Sequence, residues 1–373
     1  VLAPALPRTR RSRFVVMGGC WSFREQRPAV PGTACEKSLR LQPVSLASML
    51  DGSCEPNSEK MCYPSAAQAP AHLGFACRRG LKAECWAQNQ DSWCAQLVPH
   101  NFTALGVFDG HGHTGHIVSD LVKRALMTEV AASLRPRNAD QEMIVRRSYN
   151  NLQHALRSNP RFGASLSGTT ATVVVHDVQR QSLLVSHVGD SKAVLLSRKK
   201  NGFMAQELTQ DHRPEMIRER LRIARLGGDV VFDGRCHRVV KPGVPSALNM
   251  SRSLGDVEAH ELCGVSSDPD VQVRAVRPQD AALLLASDGV WDVMSPQEAA
   301  DILSRFPPNQ AMKAARELAD TAVARWLVLT DGTEADDVTV LLTWLSSPSS
   351  CADSDASTQS DISPISTGSG SAA

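Results

Sequence analysis

Six segments of the chain are apolar at most positions for five to eight residues: 104–108, 170–176, 183–188, 193–197, 281–287 and 338–345. Runs of that length bounded by turn residues read as buried strands. Longer stretches at 115–134, 141–157, 214–226, 296–305 and 310–329 read as helices. In the last of them Ala311, Ala315, Leu318 and Ala322 recur three and four residues apart, a narrow apolar stripe on one helical face. Ser295-Pro296 followed by Glu298 is a helix start. Only residues 177–182 separate the second strand from the third, too few for a crossover helix, so these two strands are expected to pair antiparallel. Antiparallel strands with helices in long pairs predict an α+β fold, an antiparallel β-sandwich covered by helices, rather than a Rossmann arrangement.

The two ends lack this patterning. Residues 1–70 are rich in Pro, Ser, Gly and Cys without a sustained period and read as a flexible arm. Residues 346–373 are nearly all Ser, Thr, Asp, Gly and Ala and read as a disordered tail, which leaves 71–345 for the folded domain. Within the arm, Met17-Gly-Gly-Cys-Trp-Ser22 fits an N-myristoylation acceptor if translation starts at Met17. Gly18 would then carry one acyl chain and Cys20 a second, and two chains are what stable anchoring takes. If instead the sixteen residues ahead of Met17 are part of the translated chain, Gly18 is internal and is not an acceptor. The expected location is cytoplasmic, with membrane association tied to that start.

Composition narrows the function. With 373 residues and 42% hydrophobic content the chain can build one large mixed domain or two compact ones. A net charge of +1 with both signs interspersed, and few aromatics, gives no reason to expect nucleic acid. No stretch reaches the roughly 20 apolar residues of a membrane span. Of ten cysteines, seven (Cys20, Cys35, Cys54, Cys62, Cys77, Cys85 and Cys94) precede residue 100, without a secretory signal before them, so free thiols are expected. None forms Cys-x-x-Cys, which argues against zinc, and none forms the Cys-x5-Arg of a thiolate phosphatase.

The chemistry lies where three strands end or begin. The runs closing in Asp109-Gly110 and Asp288-Gly289 each deliver a carboxylate to a sheet end, and Asp336-Asp337 enters the last strand. A carboxylate beside so apolar a strand must be paired, hydrogen-bonded or metal-bound. Carboxylates, a backbone carbonyl and water select hard octahedral ions such as Mg²⁺ or Mn²⁺. Two such ions sharing a carboxylate can ready a water for attack on a phosphomonoester, and His111 stands two residues from Asp109, where it could protonate the leaving oxygen. His113 and His116 read as solvated histidines at a helix start.

The series Asn89-Gln-Asp91, Phe108-Asp-Gly-His-Gly112, Ser167-Gly-Thr-Thr-Ala-Thr172, His187-Val-Gly-Asp-Ser191, Leu208-Thr-Gln-Asp-His-Arg-Pro214, Asn249-Met-Ser-Arg-Ser-Leu-Gly-Asp256, Ala286-Ser-Asp-Gly-Val-Trp-Asp292 and Asp336-Asp-Val-Thr339 resembles the ordered motifs of the metal-dependent serine/threonine protein phosphatases of type 2C. The resemblance runs from about residue 71 to 345. It implies a four-layer αββα sandwich with a dinuclear Mn²⁺ or Mg²⁺ centre at one end. By position, Asp109 would bridge the ions, Gly110 would add its carbonyl, Asp288 and Asp336 would complete one shell, and Asp91 would serve the other directly or through water. His111 falls where the family has its general acid. Asp190 matches a weaker third metal position, with a turn between paired strands as its plainer role. Asp211, His212 and Asp256 belong to motifs for which no chemistry is read.

Two departures stand out. Many members have Glu where Gln90 stands, and many carry a phosphate-gripping arginine just before that motif. Here the basic residues lie further upstream, with Arg79 the candidate and Arg78 and Lys82 its rivals, because an arginine fork suits phosphate better than a lysine. The expected activity is therefore metal-dependent hydrolysis of phosphoserine and phosphothreonine in proteins, by a monomer. A catalytically weak phosphoprotein-binding scaffold is the alternative. A two-metal nuclease would want a basic groove that the balanced charge does not supply.

Overall fold

The computed structural model describes residues 70–81, 88–98, 102–133 and 140–345. The arm with its acylation motif at Gly18 and Cys20, the tail at 346–373, and Lys82 lie outside the described residues.

Two five-stranded antiparallel sheets form the centre. In the first, β1 (Leu73–Arg78), β15 (Val338–Trp344), β14 (Asp280–Ala286), β8 (Lys192–Arg198) and β9 (Phe203–Glu207) lie side by side in that order. In the second the order is β13 (Asp270–Ala275), β7 (Ser182–Val188), β6 (Ala171–Asp177), β3 (Phe102–Phe108) and β2 (Ser92–Val98). As the short connection predicts, β6 and β7 pair antiparallel, with Val174 opposite Val185. Smaller pieces sit at the margins: β4 (Gly110–His111), β5 (Gly168–Thr169) and β12 (Leu254–Gly255) in one ribbon, and the hairpin of β10 (Asp229–Phe232) and β11 (His237–Val240).

Alternation along each strand builds three apolar layers. Leu283 and Leu285 of β14 face the second sheet, where Leu105, Val107, Val174 and Val185 meet them. Their neighbours Ala282 and Leu284 face outward, against α6 (Pro296–Leu303) and α7 (Ala311–Leu329). On the far side, Ala104, Val173 and Val175 pack beneath α1 (Gly115–Ser133) and α2 (Gln141–Ser158) through Val118, Leu121, Tyr149 and Leu152. This is the expected αββα layering. With both faces of each sheet covered, antiparallel strands read as continuous apolar runs instead of alternating ones. Each fully buried Leu or Val contributes about 1.5–3 kcal/mol. The stripe read on residues 310–329 is buried as expected, with Ala311, Ala315, Leu318 and Ala322 all at 0% exposure. At the start of α6, Ser295 accepts from the Glu298 backbone N–H while the Glu298 carboxylate accepts from the Ser295 N–H, a reciprocal cap. Asp140 caps α2 by accepting from the Met143 N–H at 3.1 Å.

Three expectations are corrected. The helix read at 214–226 begins only at Ile217 (α3, Ile217–Arg225), because Arg213–Met216 form a turn and Met216 is extended. Strands β7 and β8 belong to different sheets, so Asp190 occupies a crossing between sheets and not a turn between paired strands. Cys94 is disulfide-bonded, whereas Cys236 and Cys263 carry free thiols, as expected.

Helix α3 is tied to the body by charge. Glu219, 1% exposed, accepts from Arg252 at 2.6 and 3.1 Å and from Ser251 Oγ at 2.8 Å. Arg252 in turn donates to Asp270 of β13 at 2.9 Å. Burial alone would raise the Glu219 carboxyl, but the Arg252 hydrogen bonds and charge, with Arg222, bring it down to about 2. A depressed carboxyl stabilises the fold fully above its unfolded value near 4.3, and that contribution fades as the pH falls toward 2. Glu219→Ala strands Arg252 in a buried position and is expected to cost about 3–5 kcal/mol at pH 7, much less at pH 3, as read by urea unfolding.

Candidate metal centre

Strand register assembles the acidic site. Ser92 opposes Phe108 across β2 and β3, so Asp91 immediately before one strand and Asp109 immediately after the other flank the same end of the second sheet. In the first sheet Ala286 opposes Val340, which brings Ser287-Asp288 beside the Asp336-Asp337 pair that precedes β15. Each sheet thus contributes two carboxylates to one end of the sandwich. The two halves meet: Ser287 Oγ donates to Asp91 Oδ2 at 2.9 Å, and the Asp109 and Asp288 carboxyls interact directly.

These charges do not suit one another without a cation. Burial first, then the charges of Asp288, Asp91 and Asp336, holds the Asp109 carboxyl well above the ordinary range. Asp288 is raised in the same way by burial and by Asp336, Asp190 and Asp292. Burial and Asp337 push Asp91 up to about 7, against hydrogen bonds from Thr339 and Ser287 that favour its charged form. Buried like charges of this kind persist as carboxylates only when paired or bound to metal. An all-oxygen donor set fits a hard divalent ion such as Mg²⁺ or Mn²⁺. The backbone beside the centre is tightly packed: a Cβ on Gly110 would lie 2.4 Å from the Gly115 carbonyl oxygen and 2.5 Å from that of Gln90.

Residues to which the sequence reading gave no ligand role hold the arrangement. Asp337 accepts from the Gly80 N–H at 2.7 Å and the Gln90 N–H at 2.9 Å, fixing both N-terminal segments against the loop that carries Asp336. The Gln90 side chain donates to the Gly112 carbonyl at 2.6 Å, a bond that a glutamate carboxylate could not donate. Thr170 is hydrogen-bonded on both sides of Asp109, its N–H donating to the Asp109 carbonyl and its Oγ1 accepting from the Asp109 N–H.

His111 has a partner that the motif reading left without chemistry. Its Nε2 lies 2.8 Å from Asp256 Oδ2, and its Nδ1 is buried with no hydrogen-bond partner. Burial would lower the imidazole, but the charge and hydrogen bond of Asp256, with Asp190 behind, raise it. Asp256 is itself fixed by Ser253 Oγ and by a left-handed backbone at φ 44°. A Cβ on Gly168 would stand 2.1 Å from its carboxylate. The sequence signal was the Ser-Leu-Gly-Asp turn, which gives no hint of a partner 145 residues away.

The remaining candidates are placed less centrally. Arg78 is engaged by Asp320 at 2.9 Å. Arg79 is exposed and makes no ion pair among the described residues, while the next residue, Gly80, packs on the backbone of Ala335 and Asp336. Asp190 is fully buried near Asp288, facing Arg213. His113 is exposed, as expected. His187, His212 and Asp270 offer ligand atoms within 4.8 Å of one another. However, His212 Nδ1 accepts the Gly189 N–H at 3.1 Å, so its hydrogen sits on Nε2, aimed at Asp270. With His187 Nε2 also donating, to the Gln210 carbonyl, one nitrogen of each stacked ring is already taken up by backbone, and His212 Nε2 stands 3.5 Å from Asp270 Oδ2.

Comparison with known proteins identifies the family and the fold. The family profile described as Protein phosphatase 2C matches residues 81–327. A probable protein phosphatase 2C 64 of Oryza sativa subsp. japonica is 34% identical over 251 residues, covering 64% of this chain and 58% of the relative. A probable protein phosphatase 2C 48 from the same organism is 33% identical over 299 residues, covering 73% of this chain and 82% of the relative. The chain thus spans less than two thirds of the length of the first of these. The crystal structure of a serine-threonine phosphatase 2C from Toxoplasma gondii shares the fold with a TM-score of 0.63 at 24% identity, over 74% of this chain and 94% of that one. A C. elegans sex determining protein shares it with a TM-score of 0.62 at 24% identity, over 75% and 66%. The chain belongs to the protein phosphatase 2C family.

Proposed function

We propose that the chain is a metal-dependent protein phosphatase acting on phosphoserine and phosphothreonine in other proteins. The observation that carries this reading is the meeting of Asp91, Asp109, Asp288 and Asp336 at one sandwich end beside His111. The Toxoplasma gondii neighbour is a serine-threonine phosphatase, which supports the substrate class. Two Mn²⁺ or Mg²⁺ ions held by these carboxylates and the Gly110 carbonyl would supply Lewis-acid charge toward the phosphate and a water of lowered pKa.

The chain's own residues do the rest. Asp109 interacts with Asp91 of its own sheet and with Asp288 and Asp336 of the other, and would be placed to be shared. His111 keeps one N–H on Asp256 through Nε2, so the proton it can release is on Nδ1, and that edge would donate to the departing serine or threonine oxygen. Asp256 sets the ring's orientation and holds the imidazole charged. Arg79, beside the Asp336 loop, would grip the phosphate oxygens with its fork. No side-chain nucleophile is needed.

Asp109→Asn combined with Asp288→Asn is expected to reduce Mn²⁺-dependent phosphate release from a phosphothreonine peptide by more than about 100-fold, beyond the cost of disturbing a supporting contact. An undiminished rate contradicts the reading. Asp256→Asn leaves His111 without the charge that raises it, so the protonated imidazole is lost at lower pH. The high-pH limb of kcat is expected to move toward acid, with kcat down by about 10-fold or more. An unmoved limb removes His111 as the acid.

A further inference from the structure

Next to the carboxylate centre, one side chain occupies the corner where the resemblance places a third ion. Asp190, 0% exposed, lies in the crossing from β7 to β8, and neither of its carboxylate oxygens has a hydrogen-bond partner. Its nearest cation is Arg213, whose Nη1 stands 3.5 Å from Asp190 Oδ2. The same guanidinium directs Nη2 to Asp292 Oδ1 at 3.2 Å and Nε toward Asp211 Oδ2 at 3.6 Å. Asp211 has a second cation in Lys192 at 3.3 Å. Three carboxylates from three separate loops therefore share the three nitrogens of one planar ion.

A delocalised guanidinium stays charged at every working pH and is weakly hydrated, so it can rest among buried carboxylates where a divalent ion would have to shed its water. It also links Asp190 and Asp292, two carboxylates whose charge reaches Asp288. An incoming ion would have to displace it while leaving a positive charge nearby.

We propose that Arg213 is the resident cation of the Asp190–Asp292 corner, so that this chain holds two divalent ions and takes no third while the guanidinium is in place. The proposal rests on the dinuclear reading above, and ion counting separates the two. Mn²⁺ bound per chain is measured by equilibrium dialysis, with free Mn²⁺ read by electron paramagnetic resonance. The parent is expected to bind two equivalents, Arg213→Gln three, and Arg213→Gln with Asp190→Asn two again. Asp190→Asn alone is expected to leave the parent's count at two, a test that does not depend on the folding of the arginine variants. Three equivalents on the parent that fall to two in Asp190→Asn overturn the proposal, as does no gain in a folded Arg213→Gln protein. No bound Mn²⁺ on the parent overturns the dinuclear reading itself, and the proposal with it.

Discussion

Mutual repulsion among buried carboxylates is the constraint around which this fold is arranged. Asp91, Asp109 and Asp288 sit where burial and the charge of neighbouring carboxylates hold each carboxyl above its ordinary range. A protein chain does not gather such groups for stability, because each would be better solvated apart. What offsets the cost is a cation, and the sandwich supplies the rigid frame that keeps the carboxylates from drifting away from it. Strand pairing sets two of them side by side within each sheet. Ser287 and the Asp109–Asp288 contact then join one sheet's pair to the other's.

The surrounding residues respond to the same excess of negative charge. Asp337 is held by two backbone N–H groups, which fix it in the scaffold beside Asp91. Asp190 and Asp292 are met by Arg213. Asp256 is neutralised by the imidazole it orients.

Much of this was legible in the sequence, for a physical reason. Strands buried on both faces, such as β14 and β15, are apolar throughout, so their ends and the carboxylates attached to them stand out. Helices α1, α2 and α7 are long enough for their period to show. The hairpin of β10 and β11 was not legible: its strands have four residues each and bury little, leaving Val231 and Phe232 exposed. Edge strands β9 and β13 fail for the same reason, since mostly exposed positions carry no pattern. Roles that depend on distant pairing were equally hidden. Asp256 reads as a turn residue and Asp337 as the neighbour of Asp336 at a strand entry until folding brings them to His111 and Gln90, and Asp190 lies between sheets because β7 and β8 separate into different ones.

The central claim is that these four carboxylates form a cage for a pair of cations, and anomalous scattering tests it most directly. Crystals of the protein grown with Mn²⁺, measured on the high-energy side of the manganese edge, are predicted to show two adjacent peaks about 3.5–4 Å apart, with Asp109 between them. Absence of manganese density at this end of the sandwich, or carboxylates turned away from one another around a single peak elsewhere, would contradict the account.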